Sequence, residues 1–417
     1  MKVLQSKQIR NSLLVIAVLL FLYRIGNHII VPGIDESKIV NNESLNMLSL
    51  LTGASLGTMS LFALGVSPYI TSSIVVELLS NDVIGKLSEW KKEGGVGRIK
   101  LNRVIKYLSI ILSLLQGYSL AYSFDKNYGI VENGGFLQYL YIAVVLTAGM
   151  CILMWIGNHI SEKNMGNGIS MIILVGILYQ LPSMFIRSFS YFTSVLEDGS
   201  RLYANGILMF VLYCFLFLFI IFAVIYIESA ERRIPIQYSS KLASGSNLTF
   251  IPLKLNTSGV LPVIFASAFI QTPLTIIGLV NSKLYQTLSL YLSFTHPLGL
   301  IIYALFILFF GFFYTEMQIS PKKLADELSK NGGFIPSIRS GKETVKYITN
   351  ILYETTSVGL FCLLVLAWLP YLLAMILNVP QDIALGGTSA ILIVGITLEI
   401  VNSLITQVQE TKYKQWF

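Results

Sequence analysis

Hydrophobic and polar positions alternate along this chain on the scale of membrane spans rather than of single helical turns. Nine apolar runs, at about residues 12–30, 104–123, 139–159, 169–187, 208–228, 257–281, 297–317, 357–377 and 385–408, approach or exceed the ~18–20 residues that cross a bilayer. A tenth segment, LTGASLGTMSLFALGVSPYITSSIVVELLS at residues 51–80, breaks the pattern. Glycine and hydroxyl residues crowd its first half and Pro68 interrupts it. The apolar part, Leu61 to Leu79, carries Ser67, Thr71, Ser72, Ser73 and Glu77. Lipid leaves such polar groups unsatisfied, so the segment requires a protein-lined or watered surrounding.

Composition agrees with a polytopic membrane protein: 54% of the 417 residues are hydrophobic and 12% are charged, against about 25% charged in soluble domains. The first run follows Lys2, Lys7 and Arg10 like a signal peptide. It is long for that role and lacks a small-x-small cleavage site, so a retained first helix is expected. Charge then decides the span count. With a cytoplasmic N-terminus and ten spans, residues 1–11, 81–106, 160–168, 229–256, 318–356 and 409–417 hold 23 of the 29 Lys and Arg, the asymmetry of cytoplasmic loops. Without the odd segment this bias collapses, so it is counted as span two, with both termini inside.

The chain also resembles itself. GVSPYITSS starts at Gly65 and GVLPVIFAS at Gly259; GNGIS starts at Gly166 and LGGTS follows at Leu385. Both pairings share one offset of five spans, which implies two inverted halves, 1–206 and 207–417, with a pathway at their interface.

Candidate chemistry changes this picture little. No nucleotide-binding loop or HExxH motif occurs. Cys151, Cys214 and Cys362 are dispersed among spans and read as buried structural thiols. His28, His159 and His296 stand at span ends and read as interfacial groups. Glu77, Glu316 and Glu399 lie near cytoplasmic ends of spans, where hydration tolerates charge. No metal, cofactor or catalytic site is expected. The basic segments KLSEWKKEGGVGRIKLNRVIK, ERRIPIQYSSK and QISPKKLADELSKNGGFIPSIRSGKETVK offer cytoplasmic surface. The last, with its strand-like FIPSI, is long enough to imply a docking role.

The quoted motifs, together with YRIGNHIIVPGI, IPLKLNTSGVLPVIFAS, FFYTEM and GGTSAILIV, occur in one order across nearly the whole chain. In this they resemble the SecY family, the channel of the bacterial Sec translocase. The resemblance implies an all-α clamshell of ten transmembrane helices in two inverted five-helix halves, with a short plug at about 51–61. It maps a pore ring onto Val66, Ile70, Ile173, Ile177, Ile264 and Leu392, and plug residues onto Gly53, Ala54, Ser55, Gly57 and Thr58. A polar lateral gate falls on Thr71, Gln116 and Asn256. Docking of a SecA-type ATPase falls on Arg339, supported by Lys106, Arg232, Arg233 and Lys342, in the loops 229–256 and 318–356. Implied partners are that ATPase, a SecE-like small membrane subunit, other accessory Sec proteins, a secreted preprotein and the lipid of the bacterial plasma membrane; nucleic acid is not among them.

The chain departs from the common family pattern at Leu51-Thr52-Gly53, at Gly95, at Ser340 and in its short tail. These departures resemble the accessory paralogue that exports serine-rich glycoprotein adhesins in Gram-positive bacteria. A housekeeping channel and a membrane-protein insertase stand as alternatives. An ion-coupled transporter is disfavoured by the missing midplane charge.

Overall fold

Apolar runs flanked by basic residues fold as helices in lipid because a helix satisfies every backbone group internally. The computed structural model describes residues 7–35, 59–81, 83–131, 134–163, 165–194, 203–238, 249–280, 282–292, 296–377 and 386–414. Every predicted span coincides with a helix there: α1 (Lys7–Gly26), α2 (Ser67–Leu79), α4 (Gly95–Tyr128), α5 (Phe136–Ser161), α6 (Gly168–Ser194), α7 (Tyr203–Ser229), α8 (Leu261–Val280), α10 (Pro297–Gln318), α12 (Lys342–Leu377) and α13 (Gly386–Lys414). Shorter helices are α3 (Gly85–Lys92), α9 (Ser282–Tyr291) and α11 (Pro321–Lys330), and the strands are β1 (Glu231–Tyr238), β2 (Thr249–Lys254) and β3 (Gly333–Phe334). Among the described residues seven helices are long and apolar enough to cross a membrane; Leu261–Leu274 is a shorter apolar helix.

Boundaries differ where polar residues intervene. The first span was expected to reach Ile30, but α1 ends at Gly26 and the chain turns at His28, whose N–H bonds the Ile25 carbonyl. The odd segment becomes helical only at Ser67, and its 13 residues make ~20 Å of helix, short of the ~30 Å hydrocarbon core. The three cysteines are half-buried rather than buried.

The chain divides into two compact units. The first is Met1–Ile207 with Ser267–Ser293 and Ile396–Phe417. Within it, Val31, Ile34, Met59, Phe124, Ile130 and Leu146 form one apolar cluster. A second joins α1, the turn before α2, α5 and α6 through Leu19, Phe62, Val66, Leu153, Ile160 and Ile172. Residues 59–61 are tied to the end of α1: the Val31 N–H bonds the Met59 carbonyl and the Leu61 N–H bonds the Ile29 carbonyl, at 3.1 and 2.7 Å.

The second unit is Leu208–Ala266 with Phe294–Gly395. It carries an antiparallel sheet in the order β2-β1-β3, with β1 and β2 paired from Glu231↔Lys254 to Ile236↔Thr249. Alternation sets the register, since Ile234 and Ile236 are buried while Arg233 and Pro235 face out. Ile234, Ile236 and Leu253 pack with Ala325 and Leu328 of α11, with Ile335, and with Ile348 and Ile351 of α12. The basic segments 231–254 and 321–351 therefore share a core of their own.

FIPSI is not a strand beyond Phe334. Pro336 fixes φ and lacks an N–H, Ser337 adopts φ +70°, and the Ile338 N–H returns to the Ile335 carbonyl at 3.2 Å. That is a β-turn with proline in its second position and a left-handed third residue. α11 was not anticipated; Pro321 starts it and Ala325 and Leu328, three residues apart, face the core.

Candidate functional site

The internal repeat is built into the backbone. Gly65 and Gly259 adopt φ +55° and +61°, and a Cβ on either would meet nothing within 4 Å. Glycine is required here for conformation, not for space. Each turns the chain into a helix whose first residues contain proline: Pro68 enters α2 and Pro262 enters α8. Proline costs nothing there because the first helical N–H groups have no intrahelical acceptor. Val66 and Val260 hold equivalent positions, and their carbonyls accept the N–H groups of Ile70 and Ile264 at 3.1 and 3.3 Å. Pro68, which interrupts the apolar segment in the sequence, stands in the first turn of α2.

Ring candidates come in pairs four residues apart: Val66 immediately before α2 with Ile70 on it, and Ile173 with Ile177 on one face of α6. Val66 is buried, with Ile70 and Ile173 half-buried against the same apolar cluster; Ile177 is half-buried on α6. In the second unit Ile264 is buried and Leu392 half-buried. Their helices meet where Val260 fills the space over Gly395, its Cγ1 2.1 Å from where a Cβ would stand. The expected plug residues Gly53, Ala54, Ser55, Gly57 and Thr58 lie outside the described residues.

Of the gate candidates, Thr71 and Gln116 are buried in the first unit. Thr71 Oγ1 lies 3.0 Å from Thr272 Oγ1 on α8 and also donates to the Ser67 carbonyl at 3.1 Å. The two helices that open with the twin motif are thus joined by a buried hydroxyl pair. Thr272 escaped the sequence reading, although a Thr-Pro pair inside an apolar span was a visible signal. Asn256 is buried in the second unit. Its Nδ2 donates to Glu228 Oε1 at 2.7 Å and to the Gly259 carbonyl at 2.9 Å, and its Oδ1 accepts from Ser258 at 3.0 Å. Glu228, at the end of α7, is a fourth carboxylate beside the three read from sequence.

All five docking candidates are exposed. Arg339 follows the Ile335–Ile338 turn, and its carbonyl accepts from Thr344 Oγ1 at 2.9 Å. The backbone on either side of its side chain is therefore held. Arg232 pairs with Glu354 at 3.0 Å. Arg233 pairs with Glu231 at 2.8 Å and lies 4.7 Å from the Phe250 ring centroid. Lys342 begins α12 in this unit, and Lys106 lies on α4 in the other.

A family model described as SecY matches residues 60–401. The protein translocase subunit SecY of Staphylococcus carnosus (strain TM300) is 37% identical over 424 residues, covering 98% of this chain and 97% of that protein. The subunit of the same name from Staphylococcus aureus (strain NCTC 8325 / PS 47) is 38% identical over 421 residues, with 98% and 97% covered. Among solved structures, one concerned with the SecY plug domain and the closed translocation channel superposes with a TM-score of 0.63 at 18% identity, covering 94% of this chain and 90% of that one. Sec61 in the canine ribosome–channel complex gives 0.62 at 20% identity, with 95% and 91% covered. At those identities the structural likeness is one of fold.

Proposed function

The chain belongs to the SecY family, and we propose that it is the pore subunit of a bacterial Sec-type translocase. It is a passive channel, not an enzyme, and lies in the plasma membrane as a multi-pass protein. A SecA-type ATPase drives unfolded preproteins through it. Ten spans in two inverted halves, 1–206 and 207–417, with both termini cytoplasmic, agree with the distribution of 23 of 29 basic residues.

The observation that carries this reading is the Thr71–Thr272 contact between the helices opened by the twin motifs. A lateral gate must be polar enough to close and weak enough to part. Interhelical polar contacts in membranes contribute ~0.6–2 kcal/mol. An apolar signal segment gains ~0.8 kcal/mol for each CH₂ it buries in lipid, so a ten-residue segment exceeds what one such contact holds. The substrate itself parts the gate.

Val66, Ile70, Ile173, Ile177, Ile264 and Leu392 would then form the ring. Branched apolar side chains make a dewetted constriction that binds no ion and yields around a passing chain. Gly53 to Thr58 would plug it. Arg339, with Arg232, Arg233, Lys342 and Lys106, forms the ATPase docking face, and their exposure supports that role. A SecE-like small subunit completes the complex.

A second, finer reading concerns the substrate. Leu51-Thr52, Gly95 and Ser340 support an accessory channel for serine-rich glycoprotein adhesins, served by other accessory Sec proteins. The decisive experiment follows radiolabelled preproteins into proteoliposomes containing this chain, its small subunit and each candidate ATPase. ATP-dependent protection of a secretory preprotein is expected. Uptake of small solutes without protein translocation would refute the channel reading. Transport of an ordinary secretory preprotein in preference to an adhesin would refute the accessory one.

A further inference from the structure

Glu228 and Asn256 stand 28 residues apart at the two chain crossings where the β1–β2 hairpin leaves and rejoins the helical layer. Beside their 2.7 Å bond, the Leu255 N–H bonds the Ala230 carbonyl at 2.8 Å, so the base of the hairpin is closed twice. Both hydrogens of the Asn256 amide are given, to Glu228 and to Gly259, and its oxygen accepts from Ser258. The returning chain presses on α12, where a Cβ on Gly359 would stand 2.2 Å from the Leu255 carbonyl oxygen. Three residues past Asn256, Gly259 turns into α8. The direction in which α8 starts therefore depends on how Asn256 is held.

We infer that Glu228 is a positioning residue for the gate. Its carboxylate holds Asn256, and through it the turn that starts α8, so that the hairpin bearing Arg232 and Arg233 is coupled to the helix bearing Thr272. The inference rests on the channel reading above. A carboxylate serving only to finish α7 would have no reason to spend its acceptor on a residue beyond the hairpin. Coupling has a direct consequence: a partner bound to the hairpin would bias the gate through this bond.

The test uses a preprotein that the wild-type chain carries in the proteoliposome assay, with its own signal and with one weakened by two leucine-to-glutamine changes in its apolar segment. The readout is the ratio of weak-signal to natural-signal transport at equal channel abundance. Glu228→Ala strips Asn256 of its acceptor and is expected to raise that ratio ~3–30-fold, the range set by one membrane hydrogen bond. Glu228→Gln keeps an acceptor oxygen and is expected to retain the wild-type ratio. Ser258→Ala loosens the same amide from its other side and is expected to shift the ratio as Glu228→Ala does; it decides the matter should Glu228→Ala fail to accumulate. An unchanged ratio in the alanine variants overturns the inference, as does Glu228→Gln moving as far as Glu228→Ala. A wild-type chain that carries no preprotein overturns the channel reading itself, which is a separate result.

Discussion

Thr71 and Thr272 lie 201 residues apart and share a hydrogen bond of 3.0 Å between buried hydroxyl oxygens. Thr71 also holds the Ser67 carbonyl one turn back, so parting the helices leaves it a partner within its own helix. Thr272 loses more. A contact of this kind separates cheaply and re-forms in one register, which is what a gate requires.

Replacing either threonine by valine keeps shape and removes the hydroxyl. Thr272→Val is expected to ease opening by ~0.6–2 kcal/mol, seen as increased transport of preproteins with weakened signals. Thr71→Val together with Thr272→Val should do no more than either change alone, because one bond is shared. Strictly additive effects in this double-mutant cycle would show that the pair is not the contact being broken.

Arg339→Glu reverses an exposed charge on a braced turn. Stability should change by less than about 0.5 kcal/mol, as at other exposed positions, and the protein should insert normally. ATP-driven transport should be lost. Unimpaired secretion by a variant of normal abundance would remove Arg339 from the docking face.

Gly65→Ala and Gly259→Ala force a Cβ into left-handed backbone, costing ~1–2 kcal/mol each, although neither meets a neighbour. Thermal unfolding of the detergent-purified protein should register similar losses for both. Gly395→Ala differs in cause: its Cβ would collide with Val260, and Val260→Ala should restore part of the loss. Rescue of Gly65→Ala by trimming a neighbour would contradict the backbone explanation.

Deleting Thr52 to Thr58 should leave a chain that inserts and accumulates. It should also conduct ions in planar bilayers in the absence of substrate. A channel that stays tight after that deletion would assign sealing to the ring alone.

Hydropathy and charge located ten helices because lipid demands of each segment, independently, that it satisfy its own backbone. The twin GVxP motifs were legible for a related reason: a left-handed glycine followed by a helix-starting proline is a local conformational requirement. Cytoplasmic structure was less legible. α11 is ten residues long and half charged, and its helical face appears only against Ile234, Ile236 and Ile348. FIPSI looked like a strand by composition, but β3 ends at Phe334, where pairing with Gln237 ends.

The sequence by itself determined the class of protein, the order and approximate places of its long helices, and the family to which its motifs belong. All of these follow from the chemistry of neighbouring residues. Tertiary structure decided which polar groups meet: Thr272 opposite Thr71, and Glu228 opposite Asn256. A buried hydroxyl or amide has many possible partners along the chain, and only packing brings one of them within 3 Å.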